Sequence, residues 1–355
     1  MKSQLENLLD IVGRKGFSYL PVEFNLCPYL EKLYREKTGS DLPYQDYFQM
    51  PWRNLSALRE DSPDHHRFDR YYPVIDNKTT IDWLGVGHRS SPASMHMTQM
   101  LHPLEHAGSV EEIDAYPLPL FSERGNINTV KSEVEALHER GLAAMGNLQM
   151  TIWENSWYIR GMENMMMDMM SDDEMAVRLL DRVTDMSLTM AKIYAAAGAD
   201  IIFLGDDIGM QQTTLMSETL YCEWLQPRLK RIISEIKRIS PKIVVFYHSC
   251  GFVTPVIPHL IDAGIDVLNP VQPECMDFED IYERFGGRIS FHGTIGTQRT
   301  MPFGTPADVR KTVERNMKIA GDKGGLFPAP THLLEPEVPW ENILAYVDVC
   351  RNFSH

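Results

Sequence analysis

The residues best equipped for chemistry are His248 and Cys250, which close the run Lys242-Ile-Val-Val-Phe-Tyr-His-Ser-Cys-Gly251. In an extended strand residues i and i+2 point to the same side, so the imidazole and the thiol face one place. A His and a Cys at one strand end supply two of the ligand types of a zinc site, provided others arrive from elsewhere in the chain. Taken alone, the pair also fits a small buried thiol and a satisfied core histidine, the commoner fate of both residue types. Gly251 ends the apolar run, and Pro255 and Pro258 mark a turn toward a helix.

A second pair, this one acidic, follows another apolar run, in Gly205-Asp-Asp-Ile-Gly209. Asp206 and Asp207 are adjacent and cannot both face the same way. One is expected to enter the site and the other to cap a helix N-terminus. His332, in Pro328-Ala-Pro-Thr-His-Leu-Leu, is the natural third metal ligand, with His292 as a competitor that spacing does not separate from it. One thiolate, two imidazoles and an open fourth position describe a catalytic rather than a structural zinc site.

Such side chains need a scaffold, and from residue 140 onward the pattern is short apolar strand, loop, amphipathic helix. The expected strands are Ala143 to Met150, Asp200 to Leu204, Ile243 to Tyr247, Asp266 to Asn269, Arg288 to Phe291 and Gly325 to Ala329. Helical patterns span Asp173 to Ala197, Ser217 to Ile239, Phe252 to Ala263, Asp277 to Phe285 and Pro306 to Ala320. Strict alternation of buried-looking strands with helices implies parallel βαβ units. With Leu20 to Leu26 and Tyr71 to Ile75 there are eight strand candidates. The reading is an α/β protein with a single (β/α)8 TIM-type barrel, residues 1–355 forming one domain, with N-terminal helices and insertions over the mouth. The alternative, an open doubly wound sheet, lacks a Gly-x-Gly-x-x-Gly after an early strand. Residues 27–140, including the aromatic segment Tyr44 to Trp52 and the polar run Val86 to Thr98, fit the period poorly and are read as the mouth-covering insertions.

Barrel active sites are built at the C-terminal ends of the strands. The strand ends carry Glu23 and Asn25, Glu154, Asp206 and Asp207, His248 and Cys250, Asn269 and Gln272, His292, and His332. Each unpaired buried polar group costs about 1–3 kcal/mol, so a packed core does not absorb such a set.

Composition narrows the class. Of 355 residues, 43% are hydrophobic and 23% charged, ordinary globular proportions. The net charge of −15, with no offsetting basic cluster, argues against a nucleic-acid partner. No run of 18 apolar residues occurs, and the N-terminus reads as an amphipathic helix rather than a signal peptide, so a cytoplasmic protein with no membrane partner is expected. Five cysteines are an odd count without paired spacing, suiting thiols or metal ligands. Methionines number 21 and are densest in Gly161 to Met170, where thioethers fill a helix core or an irregular cavity wall. A homodimer is compatible with the chain.

From about Asp82 to the C-terminus the chain resembles the uroporphyrinogen decarboxylase superfamily. The segments that carry the resemblance are Tyr158-Ile-Arg-Gly-Met-Glu163, Gly205-Asp-Asp-Ile-Gly209, His248-Ser-Cys-Gly-Phe-Val253, Leu268-Asn-Pro-Val-Gln272, Phe291-His-Gly-Thr-Ile295 and Pro336-Glu-Val-Pro-Trp-Glu-Asn-Ile343. The resemblance implies a (β/α)8 barrel. Decarboxylases of the superfamily hold an acidic tetrapyrrole with an N-terminal Arg-x-x-x-Arg segment. The corresponding stretch here, Pro21 to Pro28, has no arginine and carries Glu23, which would repel a polycarboxylate. The other branch comprises zinc-dependent methyltransferases that work with corrinoid proteins, among them coenzyme M methyltransferases and demethylases of methoxylated aromatics. Its His-x-Cys pair maps to His248 and Cys250. Its third ligand, a Cys nine residues before the Glu of the terminal Glu-Asn-Ile, falls on His332. One thiolate and two imidazoles leave zinc a net positive charge, which favours polarising an oxygen over activating a thiol.

The expected function is therefore zinc-dependent transfer of a methyl group from a small methylated, methoxylated compound to a corrinoid (cobalamin) carried on a partner protein. Glu23, Glu154 and Asp207 are expected to act in catalysis, with Asn25, Trp157, Tyr158, Asp206, Gln272 and His292 against the substrate. A metal-independent decarboxylase or lyase acting on a small acid or a tetrapyrrole, with His248 and Asp207 as acid–base groups, is the alternative.

Overall fold

In a computed structural model that describes residues 2–90 and 98–353, seven parallel strands form one curled sheet. They are β1 (Trp52–Asn54), β5 (Ala143–Leu148), β6 (Ile201–Gly205), β7 (Val244–His248), β8 (Val267–Asn269), β9 (Ser290–Ile295) and β10 (Leu326–Pro330), hydrogen-bonded in that order. Between β1 and β5, an antiparallel sheet of β2 (Thr79–Ile81), β3 (Gly87–Ser90) and β4 (Thr98–Leu101) covers the polar run expected to be irregular. Part of that run, residues 91–97, lies outside the described residues. The strand order and the alternating helices are those of a TIM-type barrel.

One early strand assignment is corrected and one unexpected strand is added. Tyr71 to Ile75 is the end of a 3-10 helix and an exposed loop, with Val74 fully in solvent. Its β-branched residues have no partner layer to bury them. The missing barrel strand is Trp52–Asn54, inside the stretch read as insertion. The Trp52 ring enters the barrel and meets Phe246, His292 and Phe327 at ring-centre distances of 5.8, 5.3 and 5.1 Å. A three-residue strand is too short to show a period of two.

Leu20 to Leu26 takes the eighth stave without a regular ladder. Only Leu26 bridges, to Leu334 beyond β10. The reason lies in β10. Thr331 donates its N–H to Ile295 on β9, so the even-numbered positions turn their nitrogens away from β9, and positions 328 and 330 are prolines with no N–H to give. The Tyr346 hydroxyl stands in the gap: it accepts from Glu23 N–H at 3.1 Å and lies 3.0 Å from the Pro328 carbonyl.

The helices follow their local chemistry. Thr305 and Asp308 form a capping box at the start of Pro306–Ala320, and Asp277 accepts from two backbone N–H groups to open Phe278–Phe285. The long pattern from Ser217 breaks into Glu218–Trp224 and Gln226–Ile239, with Pro227 in the first turn of the second helix, the position where its missing N–H is tolerated.

Candidate active site at the barrel mouth

Parallel register brings the chemistry together. His248 on β7 is level with Gly205 on β6 and Asn269 on β8. The loops that follow β6 and β7 then touch. A Cβ at Gly209 would sit 2.4 Å from the Cys250 carbonyl oxygen, and Gly251 has φ +83, so both positions need glycine for this approach. The close approach aims Asp207 Oδ1 at the Cys250 N–H, at 2.7 Å. Gln272 accepts the Gly251 N–H at 3.0 Å and pins the same turn.

The result is a compact group of three potential ligands. His248 Nε2 and Cys250 Sγ are 3.4 Å apart, His248 Nε2 and Asp207 Oδ1 are 3.6 Å apart, and all three ligand atoms lie within 4.8 Å of one another. A tetrahedral zinc with Zn–N of about 2.1 Å and Zn–S of about 2.3 Å places nitrogen and sulfur about 3.6 Å apart. The His248–Cys250 pair has close to that spacing. Burial pushes the His248 imidazole below its usual range, toward the neutral form that ligates. Burial, aided by the Asp207 charge, pushes the Cys250 thiol up, so a thiolate there needs a nearby positive charge.

Behind the ligands runs a line of buried side chains. His248 Nδ1 is 2.6 Å from Asn269 Oδ1, Asn269 Nδ2 is 2.7 Å from His292 Nδ1, and His292 Nε2 is 3.3 Å from Glu23 Oε2. The last contact is within ion-pair distance but outside hydrogen-bonding geometry. The amide orientation is also supported by a 3.4 Å contact from Asn269 Nδ2 to the His292 carbonyl.

Two cavities meet at this point, and His248 and His332 line both. The inner one, about 260 Å³, is walled by Glu23, Asn25, Asn54, Asn147, Trp52 and Phe203 among others. The outer one, about 860 Å³, is walled by Trp83, Met100, Trp157, Tyr158, Met162 and Met190, with Glu154 and Asp207. Burial, then the Asp207 charge, raises the Glu154 carboxyl to about 7. Tyr158 donates its hydroxyl to Glu154 Oε1 at 2.9 Å, and Glu154 Oε2 accepts the Asp207 N–H at 3.1 Å.

Not every expected residue reaches a cavity. Asp206 is buried, and its carboxylate accepts the N–H groups of Ile152 and Glu154 at the start of helix Trp153–Arg160, leaving Asp207 as the carboxylate that enters the mouth. Gln272 holds the Gly251 turn rather than a cavity wall. His332 is exposed at the mouth and stands outside the three-atom group, in which Asp207 takes the third place. His292 sits at the floor against Trp52 and Phe327.

A family model described as uroporphyrinogen decarboxylase (URO-D) matches residues 100–353, well over half of the chain. The chain belongs to the URO-D family. A methylated-thiol–coenzyme M methyltransferase of Methanosarcina mazei is 29% identical over 242 residues, covering 65% of this chain and 60% of that relative. Uroporphyrinogen decarboxylases of Coxiella burnetii are 24% identical over 179 residues, covering 50% of this chain and 47% of theirs. The match thus spans less than two thirds of the length of these relatives. A solved methyltransferase from Methanosarcina mazei shares the fold, with a TM-score of 0.69 at 16% identity over 99% of both chains.

Within this URO-D chain, the site residues that the sequence did not single out are carboxamides, Asn54, Asn147 and Gln149, while Asn269, expected at a strand end, serves as the support of His248. Asn54 had no signal, because its strand was not recognised. Among the described residues no helix is long and apolar enough to cross a membrane.

Proposed function

We propose that this chain is a zinc-dependent methyltransferase that moves a methyl group from a small methylated compound, a methoxylated one in the favoured case, to a corrinoid carried on a separate protein. The observation that carries the reading is the His248–Cys250–Asp207 group, whose nitrogen–sulfur spacing suits zinc. His248 and Cys250 would hold the metal, with His332 as the third ligand from the mouth. Bound there, zinc supplies Lewis-acid polarisation of the donor's heteroatom.

The chain's own groups have distinct tasks. Glu154, protonated up to about pH 7, holds a proton for the leaving oxygen, and Tyr158 fixes its orientation. Asp207, half-exposed beside Cys250, orients the donor. The Trp157 and Met162 side of the outer cavity shields the reacting groups from water. The methyltransferase relative supports this reading through the family it shares. A metal-independent decarboxylation using His248 and Asp207 is the second reading. It is disfavoured because, among the described residues, no Lys or Arg lines either cavity to hold a substrate carboxylate.

The test combines metal analysis with turnover. We expect about one zinc per chain in native protein, as a three-ligand catalytic site requires. We also expect methyl transfer from a panel of methoxylated aromatics to free cob(I)alamin, lost on chelation and restored by zinc. Native protein without zinc sinks the reading.

A further inference from the structure

The charges around the two cavities are one-sided. Glu23 faces the inner cavity, and Glu154 and Asp207 face the outer one. No lysine or arginine lines either among the described residues, and residues 91–97, Ser-Pro-Ala-Ser-Met-His-Met, contain none. The buried arginine close by is committed elsewhere. Arg160 pairs with Asp168 at 2.8 Å and donates to the carbonyls of Leu104 and Ala107.

Glu23 is the sharpest case. It is 6% exposed, and its polar neighbours are Asn25 Nδ2 and His292 Nε2, each at 3.3 Å. A buried carboxylate without a guanidinium or ammonium partner is costly unless something in the site compensates it. The rest of the inner wall combines the amides of Asn25, Asn54, Asn147 and Gln149 with the aromatic faces of Trp52 and Phe203. Amides bind neutral polar groups, and aromatic faces beside a carboxylate attract cations. The remaining basic groups on that wall are the imidazoles of His248, His292 and His332, of which His292 already faces Glu23 at 3.3 Å, so no permanently cationic side chain is left for an anion.

We propose that the inner cavity is the subsite for a ligand head group that is cationic or uncharged, and that it excludes carboxylates, sulfonates and phosphates. The identification of that ligand as the methyl donor rests on the function proposed above; the charge selectivity does not. At about 260 Å³ the subsite takes a head group of a few heavy atoms rather than a drug-sized ligand.

Three isosteres test this directly: choline, its uncharged analogue 3,3-dimethylbutan-1-ol, and the anion 3,3-dimethylbutanoate. Their binding is measured by titration calorimetry to the full chain as purified, at low ionic strength, and again after chelator treatment, which removes what a carboxylate gains by ligating a metal. We expect choline to bind at least tenfold tighter than dimethylbutanoate, with the alcohol between them. Glu23→Gln should weaken choline about tenfold while changing the alcohol by less than twofold, which also reports that the variant is folded. Dimethylbutanoate binding as tightly as the alcohol overturns the proposal. So does a choline preference that survives Glu23→Gln, or binding by none of the three. Methyl transfer is measured separately, so charge selectivity without any transfer would sink the proposed function and leave this subsite standing.

Discussion

His248 Nδ1 and Asn269 Oδ1 are 2.6 Å apart, both buried, on adjacent strands in register. An amide oxygen only accepts, so His248 is held as the Nδ1–H tautomer and its Nε2 lone pair turns toward Cys250 and Asp207. Asn269 in turn donates to His292, which keeps the amide from flipping.

Asn269→Leu should therefore weaken zinc binding by about 10- to 100-fold, the usual loss when a ligand's orienting partner is removed. Asn269→Asp keeps an acceptor against His248 and should hold affinity within a few-fold of native. Competition with a chromophoric chelator measures both. Equal losses in the two variants would show that packing, not tautomer control, is what Asn269 provides.

The third ligand is open to a direct comparison. His332→Ala should lower zinc content well below one per chain and abolish methyl transfer. Asp207→Asn should retain most of the metal while reducing turnover. The reverse pattern in metal analysis would assign the third ligand to Asp207, which already lies in the three-atom group.

Glu154 sets a pH dependence. A proton donor raised to about 7 by burial loses its proton as pH climbs through that value, so turnover should fall on the alkaline side. Glu154→Gln should remove that limb and lower kcat about 10²- to 10⁴-fold, the usual contribution of a positioned acid. Stability follows the same sign. The folded-state value lies above the carboxyl's ordinary 4.5, so its contribution is fully present below 4.5 and is lost as pH rises through about 7. The loss amounts to about 3 kcal/mol for such a shift. Melting temperatures at pH 5 and pH 8 should differ less in Glu154→Gln than in native protein.

Trp52 tests the barrel closure. Its ring lies against Phe246, His292 and Phe327, on strands β7, β9 and β10, so Trp52→Ala should cost about 3–5 kcal/mol in urea unfolding. An effect below about 1 kcal/mol would mean that β1 is not part of the core.

The strands and helices after residue 140 were legible because each is long enough to show its period and is bounded by Gly, Pro or a capping residue. His248 and Cys250 were legible for the same reason: a strand of period two puts them on one side whatever surrounds it. Trp52–Asn54 was hidden by its length, and Tyr71 to Ile75 misled because β-branched residues also occupy exposed loops. Composition alone also showed a net charge of −15, which argues against a nucleic-acid partner.

Tertiary structure decided how the strand ends meet. Which of Asp206 and Asp207 enters the mouth depends on the N-terminus of helix Trp153–Arg160, more than 50 residues away, which claims Asp206. Asp207 reaches Cys250 because Gly209 and Gly251 let two loops approach more closely than any Cβ allows. The rise of Glu154 to about 7 comes from burial and from the charge of Asp207, neither of which its sequence neighbours reveal. Local periodicity is a property of a segment; burial, register and charge proximity belong to the packed barrel, and they decide which of the strand-end side chains can share a ligand.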